Sequence, residues 1–142
     1  MNINPYLNFP GNTEEAFNFY KSVFGGEFAM LQRFKDTPEC DKLPPGVENM
    51  IMHVSLPIGN GNLLMATDAP EGMGFSVTAG NNFYICISPD SKDEATRLYK
   101  GLAEGGKIEM ELQDMFWGAY YGSFTDKFGI KWMVNYQHQP PH

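Results

Sequence analysis

Two stretches of the chain place apolar residues at helical spacing, and both open and close in the same way. After Asn12, Ala16, Phe19, Tyr20 and Val23 recur at i, i+3, i+4 and i+7. Asn12 stands in the capping position with Glu15 as its box partner, and Gly25-Gly26 ends the run. After Ser91 come Glu94, then Ala95, Leu98, Tyr99 and Leu102, and Gly105-Gly106 ends that run. Caps and stripes coincide at an offset of 91 − 12 = 79, and only the closing glycines slip to 105 − 25 = 80. An agreement of this length reads as an internal repeat.

Around each helix the periodicity switches to two. Strand-like runs precede the helices at residues 3–9 and 82–88. Three more follow each helix, at 27–34, 50–56 and 62–67 and then at 107–113, 119–125 and 130–136. Met52, Val54 and Leu56 alternate with Ile51, His53 and Ser55. Ile108, Met110 and Leu112 alternate with Lys107, Glu109 and Glu111. Gly59-Asn60-Gly61 and Lys127-Phe128-Gly129 signal turns before the last strand of each half. The expected architecture is an α+β fold of tandem βαβββ modules with curved mixed sheets. The modules cover 1–68 and 81–137, and the Gly-rich segment 69–80 links them within a single domain 1–142.

Composition narrows the partners. Ten basic against seventeen acidic residues leave a net charge of −7. Such a surface repels phosphate backbones and anionic lipid, so neither nucleic acid nor membrane is an expected partner. The N-terminal residues have no basic region followed by an apolar core, and no apolar run reaches spanning length. Cys40 and Cys86 form no CxxC pair, which suits a reducing, cytoplasmic location. Aromatic residues reach 14%, and nine Met accompany them, enough soft surface to fill a core or line an apolar pocket.

Paired βαβββ units in a chain of this length resemble the vicinal oxygen chelate superfamily, which includes glyoxalase I, fosfomycin-resistance proteins and extradiol dioxygenases. Local sequences resemble its PhnB-like group, often labelled 3-demethylubiquinone-9 3-methyltransferase. These are Pro5-Tyr6-Leu7-Asn8-Phe9, Ala16-Phe17-Asn18-Phe19-Tyr20 running to Phe24-Gly25-Gly26, Met52-His53-Val54, Phe116-Trp117-Gly118 with Tyr121-Gly122, and Asp126 through Met133. Lys127 stands where the group usually has proline. The resemblance implies a cupped site on the sheets, helices on the convex side, and a homodimer that covers sheet edges. It also implies a divalent metal held by His, Gln or Glu on the first and last strands. Carried over, the first-strand positions fall near Pro5 and Tyr84, and residues 62–67 and 130–136 hold neither Glu nor His. No metal ligand is therefore assigned and no cofactor is expected, with room left only for weak divalent binding.

The candidate site residues follow from the same alternation. His53 points away from the face of Met52 and Val54, either as a hydrogen-bonded strand histidine or as a catalytic general base. Ser55 and Tyr84, with Trp117 and Tyr121 near the glycines of a strand connection, are expected to bind ligand. Asp126 reads as a turn residue, Glu109, Glu111 and Asp114 as a solvated row, and Cys86 as a buried thiol. His138 and His142 belong to the C-terminal tail. There is no GxGxxG after a strand, no P-loop and no GxSxG, so neither methyl transfer from a nucleotide nor nucleophile-elbow hydrolysis is indicated. The leading expectation is a small, partly apolar organic ligand bound in the cup without the superfamily metal. Two alternatives stand beside it. One is a metal-dependent lyase or isomerase with a displaced site at His53 and Asp68. The other is a resistance-type protein that sequesters its ligand without turnover.

Overall fold

The computed structural model describes residues 1–38 and 40–138, without the side chain of Cys40. His142 and the Cys40 side chain lie outside that description. The chain divides into two compact units at Thr78 and Ala79. The first runs β1 (Tyr6–Phe9), α1 (Thr13–Phe24), β2 (Met30–Arg33), β3 (Ile51–Gly59) and β4 (Asn62–Asp68). The second runs β5 (Ile85–Ile87), α2 (Lys92–Ala103), β6 (Lys107–Asp114), β7 (Ala119–Thr125) and β8 (Lys131–Gln137). Strand order is β1-β4-β3-β2 in one sheet and β5-β8-β7-β6 in the other, the same permutation. Each sheet has one parallel pair, first strand to last, and antiparallel pairs elsewhere. This is the α+β architecture expected of the repeat.

The first strands are shorter than the apolar runs that announced them, and Ile3 is exposed. Pairing also corrects their register. Leu7 is buried opposite Ala66, and Ile85 is buried opposite Trp132. The strands therefore correspond at an offset of 85 − 7 = 78, which aligns Tyr84 with Tyr6, not with Pro5. Burial of one side chain per two residues decides this, because a slip of one would turn every side chain to the other face.

Helix α2 buries Ala95, Leu98, Tyr99 and Leu102, as its stripe predicts. Close seating on the sheet depends on Gly122: a Cβ there would lie 2.7 Å from the Tyr99 ring and 3.0 Å from the Leu112 backbone. The Tyr99 hydroxyl then donates to the Met110 carbonyl. Helix α1 departs from its copy. Its buried residues are Thr13, Ala16, Phe17 and Tyr20, and Phe19 is only half-buried. The arc 13, 16, 17, 20 is as good a helical stripe as 16, 19, 20, 23, so spacing alone cannot choose between them. Phe17 meets Phe9 and Tyr20 edge-on, with centroids at 6.5 and 5.4 Å, and that aromatic wedge sets the roll of the helix.

The caps differ too. Ser91 Oγ accepts from the Glu94 N–H, as expected. Asn12 makes no side-chain cap bond. Asp68, at the end of β4, accepts instead from the Thr13 N–H (3.0 Å), the Thr13 hydroxyl (2.6 Å) and the Ile51 N–H (2.8 Å). One buried carboxylate thus starts α1 and anchors β3. In the second unit Asp126 is the turn residue expected, accepting from the Phe128 and Ile130 N–H groups, and it also takes the Trp132 indole N–H.

Candidate functional site

In each sheet one set of alternate residues faces the helix and the other lines an open face. In the first unit Leu7, Phe9, Val54, Leu56, Leu64 and Ala66 are buried on the helix side. The alternate positions form cross-strand rows on the other side. One row is Tyr6–Met65–Ser55–Met30, and the neighbouring one carries Asn8 opposite Thr67 and His53 opposite Gln32. Tyr6 leans diagonally across β4. Its hydroxyl lies 3.0 Å from His53 Nδ1, and the rings stack with centroids 5.7 Å apart. Burial pushes the Tyr6 phenol pKa up, so the phenol keeps its proton. With the phenol donating, Nδ1 is the acceptor of this contact and Nε2 is left as the ring nitrogen that can meet a ligand. Ser55 sits in the row as expected but is buried.

The corresponding row of the second unit has different chemistry. Thr125 pairs with Lys131 and with Lys107, and Tyr84 stands one residue before Ile85, the partner of Trp132. Glu109, two residues on from Lys107, keeps to this face, and the register shift between Ile108 and Met110 leaves it without a register partner on β7. Its carboxylate gathers Tyr84, whose hydroxyl donates at 2.5 Å, Thr125, whose hydroxyl donates at 2.9 Å, and the Lys131 ammonium. Lys131 also reaches Thr125 Oγ1 at 3.2 Å and lies 5.0 Å from the Tyr84 ring centroid. The hydrogen bonds from Lys131 and then Tyr84 hold the Glu109 carboxyl down at about 2. The bond to Glu109 in turn raises the pKa of both donors.

Several expectations need correction here. Glu109, Glu111 and Asp114 are exposed along β6 as the row predicts, but they are not merely solvated: Glu109 is held by the cluster above, and Asp114 pairs with Lys92 at 3.1 Å and His138 at 2.7 Å. Cys86 is exposed on the open face opposite Met133, because the alternation buries Ile85 instead; partial desolvation still raises its thiol pKa. Tyr121 lies on the same face opposite Asn135, and burial raises its phenol pKa. Trp117 is 54% exposed at the β6–β7 connection, its ring 6.3 Å from Tyr121 and edge-on to the exposed Phe116. The structure thus brings Ser55 to the face that carries His53, and Tyr121 to the face that carries the Tyr84 cluster. It leaves Trp117 at the rim of the second sheet. Tyr6, Glu109 and Lys131 escaped the sequence reading. The signal for Tyr6 was its alignment with Tyr84 at offset 78.

The paired site of His53 and Asp68 does not form. Asp68 belongs to the buried helix side with both oxygens engaged, and His53 belongs to the open face. Among the described residues no three His, Cys, Asp or Glu side chains lie together in a group able to hold a metal ion. Besides thioethers, hydroxyls and phenols, the two open faces offer His53 on the first and Glu109 on the second as strong metal donors, too few on either to hold a divalent cation, and the Lys131 ammonium against Glu109 repels one.

The family model for the Glyoxalase/Bleomycin resistance protein/Dioxygenase superfamily matches residues 2–134. Protein YjdN of Escherichia coli (strain K12) is 30% identical over 149 residues, covering 99% of each chain. Among solved structures, protein PA1353 from Pseudomonas aeruginosa is 39% identical with a TM-score of 0.84, covering 96% of this chain and 98% of that one. The PhnB protein from Bacillus cereus is 26% identical with a TM-score of 0.76, covering 96% and 99%.

Proposed function

Because the chain belongs to the glyoxalase/bleomycin resistance protein/dioxygenase superfamily, we propose that it binds a small, partly apolar organic molecule at the open sheet faces, without a divalent metal. One observation carries the reading. Each open face sets thioether and aromatic surface (Met65 and Met30 beside Tyr6, Met133 beside Tyr121) next to polar groups already held in place: the Tyr6–His53 pair and the Tyr84–Glu109–Lys131 cluster. Apolar area with a few fixed polar groups is the composition of small-molecule sites. In this reading His53 and Ser55 serve the open face of the first unit, Tyr84 and Tyr121 serve that of the second, and Trp117 borders the second face. The modules at 1–68 and 81–137 act as one domain. Methyl transfer gains no support, since each sheet has a single parallel pair, unlike a doubly wound nucleotide fold.

The contact of Tyr6 with Nδ1 orients the imidazole, so that in this reading Nε2–H is offered as a hydrogen-bond donor to an acceptor atom of the ligand. A homodimer in the cytoplasm belongs to the same proposal. The eight-residue edge strand β6 exposes Ile108 and Met110, an edge that a second copy would cover. Native mass spectrometry of protein purified without denaturant tests the binding reading. A retained organic mass, reduced in a His53→Ala variant, supports it; a stoichiometric divalent metal in place of an organic mass overturns it. Light scattering on the same sample reports the oligomer.

A further inference from the structure

The two units share a strand order, so each serves as a control for the other. At matched positions of the open face the first unit has Tyr6, Met65 and Ser55, and the second has Tyr84, Lys131 and Thr125. The tyrosines and the hydroxyls correspond. The residue between them is a thioether in one copy and an ammonium in the other. The first unit shows that a thioether can fill this position of the sheet, whereas the second unit places there an ammonium paired with Glu109.

The lysine is also held in place. Its three neighbours come from separate segments, Tyr84 from just before β5, Glu109 from β6 and Thr125 from β7, while Lys131 itself stands on β8. Two N–H groups of the ammonium are directed at Glu109 Oε1 and Thr125 Oγ1. Its remaining side borders the Tyr84 ring, and 14% of the side chain reaches solvent. Glu109 balances the charge, and its three donors keep it from turning outward. A flexible lysine is thereby made into a fixed cationic donor, the kind of preorganised group that recognises oxygen better than a mobile one.

We infer that Lys131 is the resident cation of this face, standing in for the metal that the residues cannot hold, and that it receives a carbonyl or carboxylate oxygen of the ligand. The assignment rests on the open faces being the binding surface. The ligand oxygen enters beside Tyr84, accepts the third N–H, and lays its apolar body toward Met133 and Tyr121 on the same face. Glu109 is the positioning residue, acting through Lys131.

The test uses benzoate as probe and benzylamine, a donor with no acceptor oxygen, as its counterpart, both titrated at millimolar concentration and followed by 1H–15N shifts. Benzoate is expected to shift Tyr84, Thr125 and Lys131 of the full chain, and benzylamine to leave them unmoved. Lys131→Met, which reproduces the first unit, should weaken benzoate about tenfold or more, and Lys131→Arg should retain it. Should Lys131→Met leave Glu109 uncompensated and the chain misfolded, Lys131→Met with Glu109→Gln removes both charges and carries the same expectation. Benzoate shifts on an open face that the methionine variants leave unchanged would overturn the role of Lys131 and keep the binding reading. No shift on either open face from either probe would overturn both.

Discussion

Replacing Phe17 by alanine, with Phe19→Ala as its companion, separates the observed packing of α1 from the packing its apolar spacing suggests. Phe17 has no solvent exposure and meets Phe9 and Tyr20 edge-on, whereas Phe19 is half-buried and tilted against Tyr20 at 5.7 Å. Deleting a fully buried phenyl ring costs about 3–5 kcal/mol, from lost transfer energy and the cavity left behind. Two edge-to-face contacts disappear with it, each worth about 0.5–1.5 kcal/mol beyond area, which places Phe17→Ala near the top of that range. Phe19→Ala removes a ring that keeps part of its contact with water, and about 1–2 kcal/mol is expected. At about 2–4 °C per kcal/mol for a chain of this size, the thermal midpoints should fall by about 8–20 °C and about 2–8 °C. Far-UV circular dichroism is the suitable signal, because both tryptophans, Trp117 and Trp132, lie in the second unit. An equal loss from both variants, or a larger one from Phe19→Ala, would refute the wedge of Phe9, Phe17 and Tyr20 as the element that sets the helix roll.

Four further outcomes follow from the same contacts. Asp68→Ala should cost about 2–5 kcal/mol in urea unfolding, since it removes a cap and orphans the buried Ile51 N–H, and Asp68→Asn should cost less; an alanine loss under about 0.5 kcal/mol would show the cap to be idle. The Glu109 carboxyl, at about 2 against an ordinary 4.5, contributes stability that is complete above its ordinary value and is lost as pH falls toward 2. The midpoint gap between the wild type and Glu109→Gln should therefore shrink on acidification, and a gap that widens contradicts the cluster. Protein purified without added metal should contain far less than one equivalent of divalent transition metal by elemental analysis, and chelator should leave its thermal midpoint unchanged. Tyr6→Phe should shift stability by no more than about 1 kcal/mol yet alter the 15N shifts of the His53 ring, because the hydroxyl fixes the tautomer; unaltered ring shifts would show that it does not.

The order of elements, the duplication and the turns were all legible in the chain, because they rest on neighbours in sequence. Caps such as Ser91, the glycine stops and the alternation through Met52, Val54 and Leu56 act within a few residues of themselves. The face of β3 that carries His53 was legible for the same reason, whereas the face of Cys86 on the three-residue β5 was not. Everything that depends on pairing between distant segments had to wait for the tertiary structure. Asp68 caps a helix 55 residues before it, and no local signal marks a carboxylate at a strand end as a cap. Phe17 outranks Phe19 only because β1 brings Phe9 to meet it. Glu109 reads as one of several exposed acids until strand pairing brings Tyr84, Thr125 and Lys131 beside it. Local periodicity tells a side chain which face it is on; only strand register, set by the burial of every other residue at once, tells it which partners share that face.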